Sequence, residues 1–157
     1  MNHNTLIETF YKAFTNGDAA GMTACYHDDI IFSDPAFGTL HGKEAKAMWH
    51  MLIERGKGAN KVNYSNIETT ATTGSAQWTA RYPYGPKKRP VINHVTANFT
   101  FNDGKIIEHH DTFDMYSWTK QALGLPGVLL GWSGFMRNSI QKKTNGMLKN
   151  YMEKNPQ

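Results

Sequence analysis

The spacing of apolar residues along the chain changes near Gly58. Before that point they recur every three or four positions, which is typical of helices with one buried face. The spacing predicts a first helix over residues 4–16, a short second helix with Ala19, Met22, Cys25 and Tyr26 on one face, and a third helix over 43–55. A short strand is predicted over residues 30–34, between the second and third helices, because a proline follows it directly.

After Gly58 apolar and polar residues alternate, as they do in strands with one face toward a core. The alternation predicts four long strands, over residues 62–73, 75–84, 90–102 and 105–115. Three helices followed by a meander of strands predict an α+β fold, with the helices packed on one face of a strongly curved, mainly antiparallel sheet. A sheet of this kind forms a cone whose mouth is a natural ligand site.

The fourth of these strands carries the candidate chemistry. Side chains two positions apart on a strand share a face. Five side chains are therefore predicted to point inward together: Ile107, His109, Asp111, Phe113 and Met115. A histidine beside a carboxylate in apolar surroundings is a pair in which proton chemistry becomes possible. The alternative is a partly exposed strand with ordinary surface charges.

The chain ends in a helical extension. Residues 116–123 and 141–154 are predicted to be helical, and Leu125-Pro126-Gly127 is predicted to be a turn. Residues 128–136 are strongly apolar but too few to span a bilayer. We expect one domain over residues 1–157, with a core over about 4–123 and the extension over about 124–157. We favour an extension that completes the core or forms a dimer contact; a lid over the cone and peripheral membrane contact are alternatives.

Composition narrows the possible partners. Lys and Arg number 17 against 13 Asp and Glu, but no basic segment has the interleaved aromatic residues that stack on bases, so nucleic acid is not an expected partner. Cys25 is the only cysteine, which excludes a disulfide within the chain. Neither an export signal nor a membrane-length apolar run is visible, so we expect a cytoplasmic protein without a membrane partner.

Several short motifs resemble the nuclear-transport-factor-2-like superfamily, most closely its ketosteroid isomerase and SnoaL-like polyketide cyclase branches. The motifs are YHDDIIFSDP from Tyr26, HGKE from His41, and GKIIEHHD from Gly104 with Phe113-Asp114. Together they cover about residues 4–123. The resemblance implies a cone-shaped, cystatin-like α+β fold and usually a homodimer. It implies no single activity, because this fold hosts isomerases, cyclases, dehydratases, epoxide hydrolases and inert binding modules.

The resemblance also implies roles for individual residues. Asp34, in Ser-Asp-Pro, matches the position of the isomerase's general base. His109, Asp111 and Phe113 match positions that line the isomerase pocket. Asp34, His109 and Asp111 are therefore the candidate catalytic residues.

Two activities of the superfamily are not matched. The isomerase's oxyanion hole is absent, because its tyrosine falls at Phe10 here and its protonated acid at Ala97. Tyr11 lies about 100° round the helix from Phe10 and is not expected to replace that tyrosine. The epoxide-hydrolase pattern needs an inward arginine two residues from a carboxylate, but Arg81 is out of phase with the inward residues and position 83 is proline.

The candidate residues favour proton abstraction next to a carbonyl. If Asp34 and Asp111 face one apolar cavity, desolvation and mutual repulsion raise their pKa values toward the range of a general base. If the chain is an enzyme, we expect a cofactor-independent isomerase, cyclase or lyase, with His109 assisting and no metal. The ligand would be a small polyketide-, steroid- or aromatic-like molecule in a pocket lined by Phe14, Trp49, Trp78, Tyr82, Asn93, Val95, Phe99 and Phe113.

Other interpretations stay open. The chain could be a non-catalytic small-ligand-binding or dimerisation module of the same fold. Asp34 could simply cap a turn, and His109 and Asp111 could hydrogen-bond each other without taking part in a reaction. The same three residues could instead bind a metal. We also expect a homodimer, because apolar positions on the sheet and in the extension need cover.

Overall fold

The computed structural model describes residues 2–156. Its N-terminal helices are α1 (His3–Thr15), α2 (Ala19–Ala24) and α3 (Lys43–Arg55), and its strands are β1 (Tyr26–Asp34), β2 (Gly38–His41), β3 (Lys61–Thr69), β4 (Thr73–Tyr84), β5 (Arg89–Asn102) and β6 (Lys105–Thr112). The C-terminal helices are α4 (Met115–Leu123), α5 (Leu125–Leu130) and α6 (Gly134–Lys154). The three predicted helices and four long strands are confirmed.

The six strands form one curved, open sheet in the order β2-β1-β6-β5-β4-β3. All neighbours are antiparallel except β1 and β6, which run parallel. The predicted α+β class and mainly antiparallel sheet are confirmed, with β6 near the centre of the sheet. This parallel pair is formed by strands far apart in the chain, because α3 and four strands, β2 to β5, separate β1 from β6.

Helices α1 and α3 cover the inner face of the sheet. The apolar stripe of α1 buries Ile7, Phe10 and Tyr11 completely, and α3 buries Met48 and Trp49. The inner faces of β4 and β5 meet them with alternating buried residues, as predicted for Val95, Ala97, Phe99 and Phe101. Residues of opposite phase on β5, such as His94 and Thr96, are exposed.

A bulge in β6 corrects the predicted face of one isoleucine. Thr100 is opposite Glu108, but the next residue of β5, Phe101, is opposite Ile106. Ile107 is therefore an extra residue in β6, and an extra residue reverses the alternation on its N-terminal side. Ile106 is fully buried and Ile107 only partly, so the prediction that Ile107 shares a face with His109 is wrong.

Several segment boundaries also differ from prediction, since β3 ends at Thr69 rather than 73 and α6 begins at Gly134 rather than 141. Tyr26 was expected at the end of the second helix and instead begins β1, which is longer than the predicted strand. At the other end, β6 stops at Thr112, because Asp114 caps α4 by accepting a hydrogen bond of 3.1 Å from Ser117 N. Met115 therefore lies in a helix rather than on the strand.

The extension packs back onto the domain through α6. Gln141 Nε2 and Thr144 Oγ1 donate to the carbonyls of Pro35 and Ala36 at 3.0 and 2.6 Å. Leu148 is buried in the main core, so the extension contributes to that core. Leu125-Pro126-Gly127, predicted to be a turn, instead begins the short helix α5, with its proline in the first helical turn, where it is tolerated.

A second apolar cluster joins the extension to the ends of β4 and β5. Its buried members are Val91, Met115, Trp118, Ala122 and Ile140. No helix within residues 2–156 is long and apolar enough to cross a membrane.

Candidate functional site

A chain of hydrogen bonds crosses the inside of the sheet through His109. The indole of Trp49 donates to the Tyr26 hydroxyl at 2.8 Å, and that hydroxyl lies 2.7 Å from Nδ1 of His109. On the other side of the ring, Nε2 lies 2.9 Å from Oδ1 of Asp111. Oδ1 also accepts a hydrogen bond of 3.3 Å from the Trp78 indole. The predicted pair of His109 and Asp111 is therefore in direct contact.

The hydrogen-bond partners determine where the protons lie along this series of hydrogen bonds. An indole nitrogen can only donate, so the Tyr26 oxygen accepts from Trp49 and its own proton is left for Nδ1 of His109. Nδ1 then accepts, and the ring proton of a neutral imidazole lies on Nε2, where it donates to Asp111. A doubly protonated ring would leave the buried Tyr26 hydroxyl proton without this acceptor, which is costly.

Aromatic rings enclose His109 on all sides. Its ring centroid lies 4.5 Å from that of Phe99, 5.2 Å from Phe32 and 5.4 Å from Phe10, and Trp49 stacks on it at 6.1 Å. The side chain is fully buried. Because both ring nitrogens are bonded within the protein, His109 can orient Asp111 but has no nitrogen left for a ligand.

Asp34 lies at the end of β1, in phase with the buried residues Ile30 and Phe32. Its Oδ1 accepts hydrogen bonds from the backbone N–H groups of Ala36 and Phe37, at 2.9 and 2.6 Å. The carboxylate thus caps the turn after Pro35, as one alternative expected. Within the described residues Oδ2 has no hydrogen-bond partner, so half of the carboxylate remains available.

The electrostatics of Asp34 differ from those of an ordinary capping residue. Burial raises the pKa of its carboxyl to about 7. The Asp111 carboxylate adds to this rise, whereas the two backbone donors of Phe37 and Ala36 oppose it. Asp34 and Asp111 are therefore close enough to influence each other, and a carboxyl whose pKa lies near neutrality is the kind of group that suits a general base.

Tyr11 is a site residue that sequence reasoning dismissed. Its side chain is fully buried, and its hydroxyl has no hydrogen-bond partner within residues 2–156. Burial raises the pKa of this phenol, and the charge of Asp111 raises it further. Phe10 and Tyr11 both fit inside because the sheet curves round α1 and contacts more than one stripe of it. Tyr11 stacks on Tyr64, with the ring centroids 5.3 Å apart.

Tyr26 is the second residue that the sequence analysis missed. Its in-phase spacing with Ile30 and Phe32 on an extended strand was the signal that could have found it. That spacing was not used because Tyr26 was assigned to the second helix rather than to the strand.

The predicted pocket residues divide into two groups. Phe14, Trp49 and Phe99 belong to the main core and Trp78 packs against it, whereas Val95 is buried on β5 opposite Trp78. Tyr82 and Phe113 belong to the second cluster, where the Trp118 indole donates to the Tyr82 hydroxyl at 2.7 Å. Asn93 lies between these groups, partly buried on the inner face of β5 opposite Ala80. Burial raises the pKa of Tyr82, its hydrogen bond from Trp118 opposes the rise, and the charge of Asp34 adds to it, so Tyr82 lies within electrostatic reach of Asp34.

A depression of about 320 Å³ lies on the outer face of the sheet rather than inside it. Exposed residues of β3, β4 and β5, including Asn63, Gln77 and His94, line it together with Trp78 and Val95. Asp34, His109 and Asp111 do not line it. Within residues 2–156, no three His, Cys, Asp or Glu side chains are grouped so that they could hold a metal ion.

The family model for the SnoaL-like domain matches residues 7–109. The chain therefore belongs to the SnoaL-like domain family, within the superfamily that the motifs resembled. No curated protein matches the chain.

Solved structures share the fold at low sequence identity. TerC co-crystallised with polyporic acid is 17% identical, with a TM-score of 0.64 over 75% of this chain and 95% of that one. A proposed polyketide cyclase from Pseudomonas putida KT2440 is 19% identical, with a TM-score of 0.62 over 78% of this chain and 98% of that one. An LEH-like epoxide hydrolase from M. tuberculosis is 24% identical, with a TM-score of 0.59 over 80% and 92%. At these identities the likeness shows the fold alone.

The positions that the resemblance left unmatched are unmatched in space as well. Phe10 and Ala97 are fully buried, so the inner face carries no hydrogen-bonding side chain at either position. Arg81 is exposed, on the outer face of β4. Steroid isomerisation with that oxyanion hole and epoxide hydrolysis, the two activities that depend on these positions, therefore gain no support.

Proposed function

We propose that this protein binds a small hydrophobic molecule at the inner end of the cone and abstracts a proton next to a carbonyl group. The product would be an isomer of the substrate, a cyclised compound, or a dehydrated compound together with the released water. The observation that carries this proposal is the pair of carboxylates, Asp34 and Asp111, in apolar surroundings. Asp34 has one oxygen fixed by the turn and the other without a partner.

In this proposal Asp34 is the general base and Asp111 is the second polar group of the site. The backbone donors of Ala36 and Phe37 fix Oδ1, so Oδ2 faces the substrate and takes the proton. Tyr11, whose hydroxyl has no partner within the described residues, is the donor for the oxygen that becomes negative as the proton leaves. His109 is a positioning residue, because it holds Asp111 through Nε2 and is itself held by Tyr26.

A second candidate is a non-catalytic pocket of the same family. The observation that favours it is the enclosure of His109, which leaves the most versatile acid–base side chain of the site without contact to a ligand. In that case Asp34 acts only as the turn cap. The apolar residues Phe113 and Trp78 would then determine affinity.

Deuterium exchange in heavy water tests the enzyme against the binding module. Polyporic acid, cyclic ketones, polyketide-like esters and hydroxylated aromatic compounds are screened first for binding, and those that bind are followed for exchange of the proton next to the carbonyl. Asp34→Asn should lower the exchange rate by at least ~10²-fold with little change in affinity, because asparagine has nearly the same shape but cannot take the proton. The wild-type rate should rise with pH and level off above about 7, where Asp34 is ionised.

Three further variants make the assignment specific. Tyr11→Phe should lower the exchange rate by ~10²-fold if the phenol stabilises the developing oxyanion. His109→Gln should lower it less, through disorder of Asp111. Asp28→Asn, on an exposed residue of the same strand, is the control that should change nothing. If ligands bind tightly but show no exchange above background between about pH 5 and 9, the proposal of an enzyme is wrong and the non-catalytic binding module takes its place.

The homodimer and the cytoplasmic location remain predictions. The outer face of the sheet, with its depression between β3 and β5, is the surface we propose for a twofold contact. Light scattering at micromolar concentration should give about twice the chain mass of 17.7 kDa. A monomer at that concentration would count against the dimer.

A further inference from the structure

A group of large apolar side chains projects from the extension into solvent. We call it the apolar tip: Leu125, Val128, Leu129, Leu130, Trp132 and Phe135. Trp132 and Phe135 are the most exposed, at 73% and 77%. Within the described residues, the remaining large hydrophobic side chain that is exposed is Ile92, on β5. Apolar exposure is thus concentrated in one segment, which is typical of an interaction surface.

The orientation of α5 is fixed by glycine. A Cβ on Gly127 would lie 2.6 Å from the backbone carbon of Thr119, and one on Gly131 would overlap the Thr119 hydroxyl. The helix therefore presents its glycine face to α4, at a distance that only glycine allows. Its valine and leucine side chains are left to face outward, the reverse of an ordinary surface helix. Tyr116 reinforces this packing, since its hydroxyl donates to the carbonyl of Val128 at 3.1 Å.

Basic residues lie beside the apolar tip and along α6 after it. The guanidinium of Arg89 lies against Gly124, at the start of α5. Lys120 is exposed on α4, 4.6 Å from the Tyr116 ring that contacts α5. Arg137 is exposed two residues after Phe135. No acidic residue occurs between Asp114 and Glu153, whereas that stretch contains five basic residues: Lys120, Arg137, Lys142, Lys143 and Lys149.

We propose that the apolar tip docks this protein on an anionic lipid bilayer surface. The leucines and Phe135 would enter the headgroup–acyl boundary, Trp132 would lie at the level of the headgroups, and the surrounding basic residues would pair with anionic lipids. This differs from the sequence-based expectation of no membrane partner. A second copy of the chain fits the surface less well, because a twofold contact would place two equally basic surfaces against each other.

Vesicle sedimentation with the full chain tests the proposal. Vesicles of phosphatidylcholine with about 30 mol % phosphatidylserine are compared with pure phosphatidylcholine in about 0.1 M NaCl. The protein should bind the anionic vesicles and bind the neutral ones at least tenfold more weakly. Raising NaCl to about 0.5 M should release most of it, because salt screens the attraction. Tryptophan emission should shift to the blue on binding, and Trp132→Phe should abolish that shift.

Paired variants test whether the tip is responsible. Trp132→Ser with Phe135→Ser should lower the partition coefficient at least tenfold, whereas Ile92→Ser should leave it unchanged. Lys142→Gln with Lys143→Gln should lower it about tenfold. Lys57→Gln with Lys61→Gln is the matched charge control. Lys57 follows α3 close to Glu54, and the Glu54 carboxylate interacts with Tyr151 on α6. Tyr151 lies about 24 Å along α6 from Phe135. These lysines are therefore far from the apolar tip, and their replacement should not change binding.

Three results would overturn the proposal. The first is equal affinity for anionic and neutral vesicles. The second is an equal loss of binding in the control variants. The third is an absence of vesicle binding; if light scattering then shows an oligomer that Trp132→Ser with Phe135→Ser dissociates, the tip is a contact between copies of the chain. Far-UV circular dichroism of each variant, unchanged from wild type, shows that the comparison is between folded proteins.

Discussion

Tyr26 and His109 are 83 positions apart in the sequence, and their side chains lie 2.7 Å apart in the core. The Tyr26 hydroxyl is the hub of this network, because it is hydrogen-bonded both to the Trp49 indole and to Nδ1 of His109. It links α3, β1 and β6, the three elements that hold the candidate carboxylates in place. Stability and site geometry should therefore depend on the same oxygen atom.

Removing that oxygen should be costly. Tyr26→Phe leaves the Trp49 donor and Nδ1 of His109 buried without a partner, and each such group costs about 1–3 kcal/mol. We expect a loss of about 2–4 kcal/mol in the free energy of unfolding, measured by urea denaturation. Tyr116→Phe is the matched control, because its hydroxyl bonds the exposed carbonyl of Val128; it should cost under about 1 kcal/mol. Equal losses in the two variants would contradict the hub role of Tyr26.

Tyr11 should show the opposite sign. Its hydroxyl is buried without a partner among the described residues, so the folded state bears a desolvation cost that phenylalanine does not have. We expect Tyr11→Phe to raise the free energy of unfolding by about 1 kcal/mol, while it lowers exchange activity or ligand affinity. Urea denaturation gives the first quantity, and titration with a ligand from the screen gives the second. A variant that is less stable than wild type would show that the hydroxyl has a structural role.

Asp34 should make stability fall as pH rises. An unfolded aspartate has a pKa near 3.9, and burial raises the folded value to about 7. Between these values the folded state binds more protons, so the contribution of Asp34 to stability is complete below about pH 4 and is lost as pH rises through 7. Asp34→Asn removes this dependence. From pH 5 to 8 the variant should gain on the order of 2 kcal/mol relative to wild type, measured by urea denaturation.

The comparison with asparagine isolates Asp34, because every other ionisable group is present in both proteins. Asp28→Asn is the control on the same strand. Lys46 holds the pKa of Asp28 below its usual range through a hydrogen bond and its charge. Its difference from wild type should therefore be constant between pH 5 and 8. A constant difference for Asp34→Asn as well would mean that the Asp34 carboxyl is solvated.

The fold could be predicted because each long element has one apolar face. The helix over 43–55 and the alternation along β4 and β5 are strong periodic signals, and the contact of His109 with Asp111 follows from their spacing on a strand. Asp34 was placed by resemblance, and its proximity to Asp111 depends on the parallel pairing of β1 and β6, which periodicity does not specify.

Other features could not be predicted because tertiary contacts decide them. Leu125-Pro126-Gly127 carries turn residues, yet close packing of glycine on Thr119 makes the segment helical. Tyr11 lies on a second stripe of α1 that is buried only because the sheet curves round the helix. The enclosure of His109 depends on rings from two helices, α1 and α3, and two strands, β1 and β5. The sequence could thus propose the candidate residues, whereas their hydrogen-bond partners depend on the fold.

The bulge at Ile107 gives the last test, because it decides which of two adjacent isoleucines belongs to the core. Ile106 is fully buried opposite Phe101, whereas Ile107 is the extra, partly buried residue. Ile106→Ala should lower the free energy of unfolding by about 2–5 kcal/mol, and Ile107→Ala by about 1 kcal/mol. The two variants lose the same atoms and serve as controls for each other in urea denaturation. A larger loss at Ile107 would restore the regular alternation and place Ile107, not Ile106, on the face of His109.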